Sequence, residues 1–253
     1  KYKTIKRKIA SVKAFYSYLE YEEIIDYSPF NKIKTKIKEP KLLPKTIQKD
    51  YIDKIIHLLL KDLKNSKTEF QKKISLRNIT LISVMFSTGI RVSELVGLNI
   101  DDVDFRNNGL HLIRKGRKEM TVYFGNEVAD ALEQYIEGSR KLIIPKEGHE
   151  DALFYSMQRR RIGVQAVQNL VKKYAKEVTP LKKITPHKLR STYGTALYQE
   201  TDDIYLVAEV LGHSDVNTTR KHYAAMSDTR RRQAAGKVVL RESASHDVDG
   251  QKY

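Results

Sequence analysis

Five short stretches of the chain carry side chains able to handle phosphate and protons. In HKLR, His187 and Arg190 stand three residues apart, a spacing that puts both near one face of a helix. A guanidinium offers a planar pair of donors to a phosphate, and an imidazole accepts or donates a proton near neutral pH. The pair can therefore grip one phosphate, although the same spacing also arises on ordinary helix surfaces. In TGIRVSELVGL, Arg91 lies inside an otherwise apolar run, where a charge needs an anionic partner. Glu94 supplies one, either as a plain ion pair or as a brace that aims Arg91 at a ligand. In LGHSD, His213 follows a helical pattern, and in TTRKHYAAM either Thr218 or Thr219 can cap a short helix carrying Tyr223. Lys115 falls in the turn signal Lys115-Gly116-Arg117.

Elements that position these residues are legible in the apolar periodicity. Ile5, Ile9, Val12, Tyr16 and Leu19 recur at spacings of three and four and predict a helix over residues 4–22. Residues 31–45 hold six lysines and two prolines with little apolar content and read as a basic interdomain linker, either a solvated tether or a strap along phosphates. Helices are expected over residues 51–60 and 76–86, the latter apolar nearly all round and ending at Thr88-Gly89. Three short β-rich segments, 103–105, 110–113 and 120–124, are separated by Asn107-Asn108-Gly109 and by the Lys115 turn, which predicts a small antiparallel sheet. Further helices are expected over residues 128–136, 164–178, 186–198 and 204–211. Thr185-Pro186 is a helix start, a hydroxyl cap followed by proline. In the helix it opens, Leu189, Tyr193, Ala196 and Leu197 form the expected buried stripe, with His187 and Arg190 on a neighbouring face. Residues 243–253 read as a polar tail.

Composition narrows the function classes. The chain of 253 residues has 47 Lys and Arg against 31 Asp and Glu, a formal net charge of +16, which attracts polyanions and above all nucleic acid. A Lys-rich chain also follows from an AT-rich genome, so charge alone decides little. There is no cysteine, which excludes disulfides, Cys-ligated zinc and thiol catalysis. Neither a signal-peptide pattern nor a long apolar run is present, so the expectation is a soluble cytoplasmic, nucleoid-associated protein with no membrane partner. The chain opens on Lys1 within a helical pattern and reads as a fragment of something longer.

Taken in order and separation, TGIRVSELVGL, the lysine of IRKGRKEMTVYF, HKLR, LGHSD and TTRKHY resemble the tyrosine recombinase and integrase family. The likeness runs from about residue 42 to about residue 226. It implies a mainly α fold with a small antiparallel β-sheet, a catalytic domain over residues 41–253, and a partial helical core-binding domain with basic linker over residues 1–40. Carried over residue by residue, it makes Arg91 and Arg190 the phosphate clamp, with Glu94 in support. Lys115 becomes the hairpin lysine, His187 and His213 the two histidines, and Tyr223 the nucleophile. Among the 15 tyrosines, Tyr193 falls on a buried stripe and Tyr16 and Tyr135 at core spacings, whereas Tyr223 follows LGHSD. One spacing departs from the commoner pattern. Tyr223 lies ten residues after His213, where many members use nine, a position held here by His222. One residue turns a helical side chain by ~100°, which the preceding loop has to absorb.

The chemistry implied is a pair of transesterifications. Two guanidinium groups match the charge of a five-coordinate phosphorus without a metal ion, so no metal or other cofactor is expected. A phenol titrates near pH ~10 and needs a base or cationic surroundings to attack, and Lys115 is expected to protonate the leaving 5′ oxygen. Partners would be double-stranded DNA recombination sites and further protomers, a tetramer on DNA, with TRRRQAAGKVVL available to pack on a neighbour or on its own domain. The expected role is integration or excision of a mobile genetic element, with transposition close to it. Alternatives are a type IB topoisomerase-like enzyme and a non-cleaving DNA-binding regulator of the same fold.

Overall fold

Local chemistry sets the ends of most elements in the computed structural model, which describes residues 2–33, 47–114, 118–181, 184–212 and 216. The basic linker between residues 34 and 46, together with Lys115, His213, Tyr223, TRRRQAAGKVVL and the polar tail, lies outside the described residues. The chain divides into two units, Lys1–Leu43 and Pro44–Tyr253.

In the first unit, α1 (Tyr2–Tyr21) precedes a single 3-10 turn at Pro29–Lys32. Ser28 caps that turn by accepting from the Phe30 amide at 3.3 Å. Tyr16 leans on Phe30 with ring centroids 5.8 Å apart. The expected apolar face is only partly covered. Ile9, Tyr16 and Leu19 are half-buried, whereas Ile5 and Val12 are exposed, because the 3-10 turn is the one other element among the unit's described residues.

In the second unit the apolar helices form one main core. It is built by α2 (Lys49–Lys64), α3 (Glu69–Thr88), α5 (Asn126–Gly138) and α6 (Val164–Val178). Helix α3 lies at its centre, with Leu81, Ile82, Val84 and Met85 all buried. It starts seven residues before the apolar pattern predicts, since Thr68 accepts from the Gln71 amide at 3.1 Å and caps a polar first half that hydropathy does not mark. A short helix absent from the periodic reading, α4 (Val92–Gly97), follows at once.

The predicted sheet is present as β1 (Val103–Asp104), β2 (Gly109–Arg114) and β3 (Lys118–Tyr123), antiparallel in sequence order. Leu110 pairs with Val122 and Leu112 with Met120. Leu110 and Leu112 are buried while His111 and Ile113 between them are exposed, the period of two expected of a sheet with one covered face. The same parity carries Arg114 to the covered side.

Two further helices follow among the described residues, α7 (Pro186–Thr201) and α8 (Ile204–Leu211). Thr185 caps α7, accepting from the Lys188 amide at 3.4 Å, and Pro186 fills the first turn. The buried stripe of α7 differs from the apolar reading. Leu189 is buried, but so are Arg190, Thr192 and Thr195, while Ala196 is exposed and Tyr193 and Leu197 are half-buried against Val207 and Leu211. Helix α7 packs through hydroxyls that satisfy themselves within the helix, Thr192 on the Lys188 carbonyl at 2.8 Å and Thr195 on Ser191 at 2.9 Å. Such residues meet a neighbour as well as alkyl groups do, which hydropathy does not register.

Candidate active site

Three arginines from three different elements meet the carboxyl end of α8. Arg114, the last residue of β2, donates from Nη2 to the Val210 carbonyl at 3.1 Å. Arg190 of α7 donates from Nη2 to the next carbonyl, Leu211. Arg91, between α3 and α4, donates from Nη2 to the one after, Gly212, at 2.9 Å. The final carbonyls of a helix lack intrahelical partners and form the negative end of its dipole, so they suit guanidinium groups. Gly212 makes the turn possible, with φ of 57° in the left-handed region.

Arg190 is almost fully buried, at 6% exposure. Its Nη1 donates to the Gly89 carbonyl at 2.5 Å, so the carboxyl ends of α3 and α8 converge on one cation. Gly89 has φ of 61°, and a Cβ there would stand 2.5 Å from the Tyr193 ring and 3.0 Å from Leu211. Only glycine lets α3 end where its last carbonyl reaches Arg190. Burial also raises the Tyr193 phenol above its ordinary value.

Arg91 is braced on two sides. Its Nη1 donates to Glu94 Oε1 at 2.6 Å and its amide to Glu94 Oε2 at 2.9 Å. Glu94 thereby caps α4 and pairs with the guanidinium at once, which places here the ion pair expected of it from the sequence. Its side chain is 8% exposed against 39% for Arg91, which leaves Arg91 the more open of the two. His187 stands exposed on the first turn of α7, three residues before Arg190.

Among the predicted residues, then, Arg91, Glu94 and Arg190 share one neighbourhood, and His187 lies on the helix that supplies Arg190. Lys115, His213 and Tyr223 fall outside the described residues. Lys115 follows Arg114, and His213 follows Gly212.

Arg114 is the residue that motif reading passed over. Its side chain is 8% exposed, and its Nε lies 3.5 Å from Glu94 Oε1, the oxygen that already serves Arg91. Burial lowers its pKa, Glu94 opposes that, and the like charge of Arg91 adds to it, yet an arginine stays protonated. The strand parity of Leu110, Leu112 and Arg114 was the available signal.

Comparison with known proteins settles the lineage. Residues 45–230 match the phage integrase family. The chain belongs to that family. A tyrosine recombinase of Agathobacter rectalis is 38% identical over 219 residues, which cover 86% of this chain and 70% of that protein. The XerD tyrosine recombinase of Oceanobacillus iheyensis is 35% identical over 217 residues, 86% of this chain and 69% of its own. Among solved structures, XerH bound to its palindromic difH substrate in a post-cleavage complex superposes with a TM-score of 0.75 at 23% identity, covering 93% of this chain and 67% of that one. The protein is a tyrosine site-specific recombinase, mainly helical with a small antiparallel sheet. No helix among the described residues of this recombinase is long and apolar enough to cross a membrane.

Proposed function

We propose that the recombinase cuts and rejoins duplex DNA at paired recombination sites through a 3′-phosphotyrosyl intermediate on Tyr223. The observation that carries this reading is the shared anchoring of Arg91 and Arg190 on consecutive carbonyls, Gly212 and Leu211, directly before His213. Two cations built into one place by three helices form a receptor for an anion. A scissile phosphate is the anion that the basic chain and its relatives call for.

In this reading Arg91 and Arg190 hold the non-bridging oxygens and stabilise the charge that grows on them as phosphorus becomes five-coordinate. His187 and His213 hydrogen-bond the same phosphate or move a proton at the nucleophile. The Tyr223 oxygen forms the new P–O bond, the 5′ oxygen leaves with a proton from Lys115, and a 5′-hydroxyl of another strand later reverses the step. One phosphodiester is exchanged for another, so no nucleotide is consumed. Glu94 acts through Arg91. The setting proposed is integration and excision of a mobile element, with several protomers assembled on two DNA sites.

A nicked duplex library randomised around the cut position tests the chemistry. The nick lets the short downstream strand leave, so cleavage ends in a covalent adduct recoverable under denaturing conditions. The protein should link to a defined subset of sequences, and Tyr223→Phe should bind that subset without linking. An adduct formed by the variant would remove Tyr223 from the nucleophile's role. With the selected site in hand, a linear donor carrying two copies should yield a closed circle. Cleavage without circles would leave the chemistry standing and set aside the mobile-element setting.

A further inference from the structure

The phosphate clamp read above accounts for two of the three arginines at the end of α8 and leaves the third without work. Arg114 is held in a place where a guanidinium is costly. Its Nε and Nη1 are buried and have no hydrogen-bond partner among the described residues, although an unsatisfied buried donor is expensive. Gly212 bears on it so closely that a Cβ there would run into the guanidinium. Strand parity would accept an apolar residue at this position, as it does at Leu110 and Leu112.

What Arg114 touches explains its presence. It meets both groups that orient Arg91. One is Glu94, whose Oε1 lies 2.6 Å from Arg91 Nη1 and 3.5 Å from Arg114 Nε. The other is the terminal turn of α8, where Arg114 donates to Val210 and packs against Gly212, whose carbonyl receives Arg91 at 2.9 Å. Without Arg114, Glu94 would pair with Arg91 alone among the described arginines and the last turn of α8 would lose its hydrogen bond to β2. With it, Glu94 is shared and the turn is pinned.

We propose that Arg114 is a positioning residue for strand cleavage, holding Arg91 toward the scissile phosphate by dividing Glu94's charge and fixing the carbonyl end of α8. Arg114 need not touch DNA for this. Two guanidinium groups on one carboxylate leave a net positive charge, and the more exposed of the two, Arg91, is where an anion collects it. The inference rests on the reading of Arg91 as part of the clamp.

The test compares two versions of the selected nicked duplex, one with an ordinary scissile phosphate and one with a methylphosphonate, which lacks the charged non-bridging oxygen that an arginine clamp neutralises. Single-turnover adduct formation is followed for the unsubstituted protein, Arg91→Ala, Arg114→Gln and Arg114→Lys, with thermal melting to confirm folding. A misplaced clamp residue costs on the order of 10²-fold. Arg114→Gln should therefore cleave the ordinary phosphate roughly 30–100-fold more slowly, yet cleave the methylphosphonate within about 3-fold of the unsubstituted protein. Arg114→Lys keeps the charge and one donor and should lose about 5-fold on the ordinary phosphate alone, which serves if the glutamine variant does not fold. Equal loss on both substrates by the Arg114 variants, with Arg91→Ala still selectively spared on the methylphosphonate, overturns the inference and leaves the clamp intact. No loss in either Arg114 variant overturns it as well. Equal loss by Arg91→Ala on both substrates removes the clamp reading, and the inference goes with it.

Discussion

Two clusters in this recombinase join arginine to helix carbonyls, and they differ in how many cations share the acceptors. At the end of α4 a single guanidinium serves a whole turn. Arg161 Nη1 faces the carbonyls of Val96, Gly97 and Leu98 at 3.2, 2.9 and 2.7 Å, and its Nη2 donates to Asn99 Oδ1 at 2.5 Å. At the end of α8 three guanidinium groups divide three carbonyls among them, with Glu94 as the carboxylate between two of the arginines. The first arrangement gathers four acceptors round one guanidinium and closes a helix. Among the described residues, the second sets three guanidinium groups around one carboxylate, and it ends at Gly212, the residue before His213 in the sequence. On the function proposed above, the same contact type is a cap where acceptors dominate and an anion receptor where cations do.

The largest effect should come from Arg190. Arg190→Ala is expected to slow single-turnover adduct formation by about 10²–10³-fold, the scale for removing one donor from a preorganised charge-stabilising site. A loss under about 3-fold would show that the α8 cluster is only a cap and erase the contrast.

Arg161→Ala should do the opposite, costing stability and sparing chemistry. Removing a charged donor to several carbonyls costs roughly 2 kcal/mol, which for a domain of this size lowers the melting temperature by about 4–8 °C. Cleavage per folded molecule should stay within about 2-fold of the unsubstituted rate. A selective loss of cleavage with unchanged melting would place Arg161 among the reaction's residues.

A smaller effect separates the apolar core from both clusters. Burial pushes the Tyr135 phenol from 10.0 up to about 12, where its hydroxyl donates to the Leu153 carbonyl at 3.1 Å. The folded-state value lies above the unfolded one, so the stabilisation is whole below the unfolded value and is lost as pH rises through the folded one. Melting temperature should therefore fall between pH 10.0 and about 12, and fall less steeply in Tyr135→Phe. A residual slope will remain from Tyr155, Tyr174 and Tyr193, which burial also raises. Parallel slopes in the two proteins would mean that another group titrates.

Much of the architecture could be read without coordinates, and the reason differs from element to element. Helix α6 is observed over Val164–Val178 and α8 over Ile204–Leu211, the spans that apolar periodicity marks, because each buries a narrow apolar stripe. The sheet was legible because Gly109 and the Lys115 turn punctuate short β-rich runs. Helix α4 was not, since six residues hold too few turns for a period to emerge. Arg91, Glu94 and Arg190 could be named from motifs, and so could the Arg91–Glu94 pair, but the carbonyl partners of the arginines could not. Glu94 is local, whereas Gly89, Leu211 and Gly212 lie far along the chain from the arginines they receive.

Residue types and their order carry the likeness to the tyrosine recombinase and integrase family, and with the net charge of +16 that likeness was enough to place this chain among enzymes that handle DNA phosphates. They do so because side-chain chemistry is carried by each residue wherever the fold puts it. Which carbonyl holds which guanidinium, that Arg190 is buried, and that Arg114 shares Glu94 with Arg91 were decided only by packing β2, α7 and α8 against one another. Hydrogen bonds between elements depend on distances that no local spacing encodes.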